Sequence, residues 1–167
     1  PFTALIFVFV LLVQPSTDAL ERSLRRVLVT EAVTLAAFLS SDPLLLAILW
    51  CCSAVGGWYD LRSQGADGHA AARVFAWYVL PSCVLLLIGA GLMKMEAGVA
   101  VASVLIGLAV MIRKGIAPLH SWKPDTYGEA PALVAGLMAD ALTSCAFLGL
   151  ARAAAALAAA HQADFAR

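Results

Sequence analysis

The chain of 167 residues is 62% hydrophobic and only 13% charged, with a mean hydropathy of +0.89. A soluble domain is nearer half apolar and a quarter charged, so a water-soluble globule is excluded and an integral membrane protein indicated. Acidic and basic side chains balance to a formal net charge of zero, which argues against nucleic acid or an anionic surface as partner.

A membrane-crossing helix needs roughly 20 apolar residues, less when tilted or buried. Read in chain order, the hydropathy predicts six spans, at 1–14, 24–41, 42–59, 71–94, 97–119 and 131–158. The polar breaks between them run from Pro15 to Arg22, Arg62 to His69, Lys94 to Glu96 and Trp122 to Gly128. Asp42-Pro43 stops one helix and starts the next, because proline suits a first helical turn. Pro81 falls inside the fourth span and is expected to kink it. Pro124-Asp125 reads as a turn, and Pro131 as the start of the last helix. The fold class is therefore all-α, a polytopic transmembrane bundle of about six helices forming one domain.

Arginine and lysine orient this bundle. Arg22, Arg25, Arg26, Arg62, Arg73, Arg113, Lys114 and Lys123 follow odd-numbered spans, whereas Lys94, Arg152 and Arg167 fall on the other side. That bias places the odd-numbered loops in the cytoplasm and both termini outside. The chain opens on Pro1 rather than methionine, and its first residues lack the charged region of a signal peptide.

Cys51, Cys52, Cys83 and Cys145 all sit in apolar stretches without metal-ligand spacing, and read as small buried hydrophobes. Adjacent Cys51 and Cys52 leave a redox pair open. Trp58, Tyr59, Trp77, Tyr78 and Trp122 lie near span ends, where interfacial anchoring is the default. The alanine-rich tail suits close helix packing, with His161 facing solvent. No nucleotide loop, metal cluster, Ser/His/Asp set or flavin fingerprint appears, so no cofactor and no catalysis by this chain alone are expected. Any redox chemistry would belong to partner subunits.

The most informative stretch runs from Lys114 to Arg152, with charged and histidine side chains between two lipid-compatible runs. Charge at bilayer depth is costly and usually functional. Within it, Ala117-Pro118-Leu119-His120-Ser121-Trp122, Pro124-Asp125 and Glu129-Ala130-Pro131 resemble the signature PLHxWLPDAHxEAP of the antiporter-like, proton-conducting membrane subunits. These occur in respiratory complex I, multisubunit cation/proton antiporters and energy-converting membrane-bound hydrogenases, and the stretch from Leu142 to Arg152 looks most like the hydrogenase branch. Phe38 to Trp50 resembles the FLSxDLLLxxxxW run of the same family. The likeness is closest over residues 110–152 and looser over 24–60. It implies that the six spans correspond to family helices three to eight, one inverted repeat of the usual two.

The resemblance also implies a mechanism: a buried carboxylate and two lysines pass protons along a hydrated mid-membrane path. A lysine in low dielectric has its proton affinity drawn towards neutral, and a nearby carboxylate opposes this. All three positions depart from the pattern. The family glutamate, nine residues after the aspartate matching Asp42, is Cys51 here. The seventh-helix lysine, five residues before the proline matching Pro118, is Arg113, with Lys114 one place later; the eighth-helix lysine falls near Ser144. Arginine keeps its proton in proteins and cannot relay one.

Two readings of the remaining ionisable groups stay open. Glu31, Lys114 and Asp140 could form a substitute relay, or Asp140 could pair with Arg113 or Lys114 across the last two helices. His120 matches the histidine of the family's polar network, which implies a part in proton entry; a plain capping or loop hydrogen-bonding role is the simpler reading of its position, and no second ligand accompanies it for a haem. The expected function is an accessory subunit of a larger complex in a bacterial cytoplasmic membrane, held among other integral membrane subunits and lipid. The alternatives are an active proton-translocating subunit and a peripheral component of a photosynthetic complex.

Overall fold

The computed structural model describes residues 20–129 except 64, 96, 97 and 117, together with isolated positions on either side. Apart from those positions, the expected spans 1–14 and 131–158 lie outside the described residues, as do Pro131 and Asp140. The described residues form α-helices and no strand: α1 (Leu20–Leu39), α2 (Pro43–Arg62), α3 (Ala66–Lys94), α4 (Val99–Lys114) and α5 (Trp122–Glu129).

Local chemistry sets the helix ends. Asp42 caps α2, its carboxylate accepting from the Leu44 and Leu45 amides at 2.8 and 3.3 Å, with Pro43 at the first helical position. The sequence places a break through Arg22 and a fourth span from residue 71, but α1 starts at Leu20 and α3 at Ala66. α3 continues through Pro81, whose missing N–H removes one bond to the preceding turn. α4 stops at Lys114, short of the expected limit at 119. Gly115, at φ +56, takes the left-handed conformation there, with Gly115 N–H on the Ile112 carbonyl and Ile116 N–H on that of Met111. This is a Schellman stop, which glycine adopts without steric cost. The stretch expected as a break and turn at 122–128 is the short helix α5.

α2 and α3 are long and apolar enough to cross a membrane. α3 is central and packs against α2, α4 and α5. One core cluster joins Ala37, Ala47, Trp50, Leu86, Ala90, Ile106 and Val110; a second joins Ala54, Leu61, Ala71, Phe75, Val79 and Trp122. Alanines stand among the large side chains in both, which lets apolar helices approach closely in lipid. At Gly89 a Cβ would fall 2.8 Å from Ile106 Cγ1 and 3.0 Å from the Ala102 carbonyl, so α3 and α4 touch backbone to backbone. The outward face carries Leu39, Trp77, Leu80 and Val104, all well exposed, which suits lipid or neighbouring subunits as the surrounding medium.

Candidate functional site

Arg113, in the last turn of α4, is 1% exposed and points between α2 and α3. Its Nε donates to Ser82 Oγ at 2.9 Å and its Nη1 to the Trp50 carbonyl at 3.0 Å. Nη2 faces two sulfurs, Cys83 Sγ at 2.7 Å and Cys51 Sγ at 3.7 Å. The guanidinium carbon lies 4.8 Å from the centre of the Trp50 ring, a cation–π contact. No ion pair holds this cation among the described residues. A planar fork of donors thus meets a hydroxyl, a carbonyl, two sulfurs and an aromatic face, which suits arginine's geometry and not lysine's.

Below it, the chain folds back after Gly115. Trp122 is fully buried and its Nε1–H donates to the Ile112 carbonyl at 3.1 Å. That carbonyl lies in the last turn of α4 and also accepts from the Gly115 N–H, so the indole adds a second donor at the helix end. The indole packs edge-on against Phe75 and Tyr127, at 5.7 and 6.0 Å. Tyr78 and Ser121 share a hydroxyl hydrogen bond at 2.8 Å. Burial pushes the Tyr127 phenol up from its ordinary value. Trp122 therefore differs from the expectation of an interfacial anchor: it pins α5 beneath α3 and α4.

The remaining motif residues are placed differently. His120, Pro118, Pro124 and Asp125 are exposed, and the His120 carbonyl accepts from Lys123 N–H at 3.1 Å. Lys114 is half-buried at the end of α4, and the Lys123 stem covers Gly115, its Cε 2.9 Å from where a Cβ would sit. Glu31 is half-buried on α1, next to Thr30, whose Oγ1 lies 3.0 Å from where a Cβ on Gly56 would be. Asp140, the expected partner of Arg113, lies outside the described residues. On the opposite end of the bundle Asp42 Oδ2 accepts from Lys94 Nζ at 2.5 Å, tying the α1–α2 hairpin to the end of α3. That ammonium, then the Leu44 amide, holds the Asp42 carboxyl below its ordinary value.

Sequence reasoning missed the neutral partners of Arg113. A signal existed: the resemblance pairs Cys51 and Arg113 with the family's glutamate and lysine, and the structure puts the two side chains in contact. It also missed the Asp42–Lys94 pair, although the hairpin after the second expected span and the loop after the fourth must fall on one side of a membrane. No cluster of three or more potential metal-ligating side chains occurs among the described residues.

An all-α bundle with an apolar exterior and a buried cation between its helices defines a class, the polytopic membrane proteins that carry intramembrane charge. The chain belongs to the NADH:quinone oxidoreductase/Mrp antiporter transmembrane family, whose model matches residues 5–165. No curated protein and no solved structure matches it. It is thus an integral membrane, antiporter-like subunit of a multisubunit complex, with other membrane chains as neighbours.

Proposed function

We propose that this chain is an accessory subunit of its complex, retaining the packing surfaces of the proton-conducting subunits while no longer relaying protons by their lysine–glutamate route. The observation that carries this reading is Arg113, a permanent cation at the lysine position, held by a hydroxyl, a carbonyl, two thiol sulfurs and an indole face. A relay needs a group that gives up its proton near neutral pH, and arginine does not. Cys51, at the glutamate position, provides no carboxylate to drive one. What the cluster supplies is a fixed positive charge and a lock between α2, α3 and α4.

On this reading the subunit sits laterally among other integral membrane chains, in a bacterial cytoplasmic membrane, with the Arg62 and Arg73 end in the cytoplasm as the charge bias indicates. The likeness of Leu142 to Arg152 favours a hydrogenase-type complex. The test is proton uptake into proteoliposomes holding the intact complex, with Lys114→Gln and Asp140→Asn variants. Unchanged flux per assembled complex is expected from both. Loss of flux with normal assembly in either variant would establish the alternative, an active translocating subunit using Lys114 or Asp140.

A further inference from the structure

Two cavities of different chemistry meet between α2 and α3. The larger one is an apolar groove of about 550 Å³, lined by Ala54, Val55, Phe75, Ala76 and Val79, with Cys51 and Cys83 at the end away from Trp58. The smaller one is a cleft of about 380 Å³ lined by Trp58, Arg62, His69, Ala72 and Arg73. Trp58 is common to both, so the two adjoin as one crevice with a basic mouth, apolar on the Cys51 side of its ring and basic on the Arg62 side.

We infer that this crevice is a binding site for a single acidic phospholipid, its anionic headgroup held by Arg62, Arg73 and His69 and one acyl chain lying along the groove. Three features argue for that occupant. Charge is complementary: the mouth presents two arginines and a histidine, and none of its lining residues is acidic. Arg62 is steadied on the Trp58 ring at 5.2 Å, which leaves its planar fork available for a phosphate. Its length also matches. Arg62 and Cys51 are eleven residues apart on one helix, about 16 Å along its axis, and one leaflet of hydrocarbon is about 15 Å deep. Headgroup and chain contacts therefore fall at the depths where a lipid in the bilayer presents them. Basic pockets between membrane helices are suited to acidic headgroups for this reason. The chain's net charge of zero is no obstacle, because the recognition is local.

The proposed site sits against Arg113, since Cys51 and Cys83 line the groove and also form the sulfur side of the guanidinium cage. A bound acyl chain would seal that cage from the lipid side and strengthen the α2–α3 contact.

The experiment is native mass spectrometry of the intact complex in mild detergent, stripped of lipid and titrated with phosphatidylglycerol or phosphatidylcholine of identical chains. One phosphatidylglycerol is expected to stay on this subunit, with phosphatidylcholine binding at least tenfold more weakly. Arg62→Gln with Arg73→Gln should erase that preference. Ala76→Phe, which fills the groove without touching charge, should weaken both lipids. Glycerol phosphate alone should bind at least a hundredfold more weakly than the whole lipid. Equal retention of the two lipids by the wild type would overturn the inference. So would an undiminished preference in the double variant, or glycerol phosphate binding as tightly as the intact lipid, which would mark a soluble-anion site. The wild-type comparison does not depend on whether either variant assembles.

Discussion

Arg113 shows how one substitution changes what a membrane helix can do. A buried ammonium offers its three donors from a single point, whereas the guanidinium spreads its donors in a plane that reaches Ser82, Trp50 and two thiols together and lies on a ring. Its acceptors do not depend on it: Ser82 Oγ donates to the Val79 carbonyl at 2.7 Å, and the Trp50 carbonyl also accepts from Ser53 Oγ at 2.8 Å. Removing charge and donors together therefore orphans little, while exchanging arginine for lysine leaves a buried charge poorly held. Arg113→Lys is expected to lower stability by about 1–3 kcal/mol, and Arg113→Met by less. Thermal unfolding in detergent checks the order, and a lysine variant more stable than the methionine one would refute the account. Trp122 follows the same logic on a smaller scale. Trp122→Phe loses the bond to the Ile112 carbonyl, about 1 kcal/mol, and leaves part of the buried indole volume unfilled, whereas Trp122→Ala should cost more, about 3–5 kcal/mol.

Between elements, the contact of α3 with α4 tolerates least change. A Cβ at Gly89 meets backbone as well as the Ile106 side chain, so the helices must part to admit it. Gly89→Val is expected to cost about 1–3 kcal/mol and to reduce the fraction of subunit that enters the complex, read from membrane extracts on native gels. Gly91→Ala, with nothing within 4 Å of its Cβ, is the control and should behave as wild type. Helix starts and stops were legible where a side chain dictates them, as at Asp42-Pro43, whose cap and proline signals need no tertiary context. The end of α4 was not. Ile116 to Leu119 stay apolar, so hydropathy runs on through a glycine that the backbone uses to turn. Trp122 was misread because a tryptophan beside a span end has the same local sequence whether it meets the interface or folds under its own helix. The cage of Arg113 stayed hidden for another reason: charge matching seeks a carboxylate, and its described partners are neutral groups brought together only by packing.

Across the whole molecule, the Arg113 lock grips α2 and α3 near their middles, at Trp50, Cys51, Ser82 and Cys83, while the Asp42–Lys94 pair ties them at one end. Asp42 is partly exposed and joins the α1–α2 hairpin to the end of α3 through Lys94, while also capping α2. Its folded proton affinity lies below the ordinary aspartate value of 3.8, chiefly through the Lys94 hydrogen bond and then the Leu44 amide. A carboxyl lowered on folding contributes stability that is fully present above its unfolded value and is lost as pH falls through the folded one. Thermal midpoints of the purified complex are therefore expected to be level in the contribution of this pair from neutral pH to about 5, and to drop below about 4. Asp42→Asn should lower the midpoint at neutral pH and flatten the acid limb. Lys94→Met should flatten it only in part, because the amide bonds to Leu44 and Leu45 remain. If Asp42→Asn left the acid limb as steep as wild type, other carboxyls would govern it, and the join between the hairpin and α3 would be a contact of no consequence to folding.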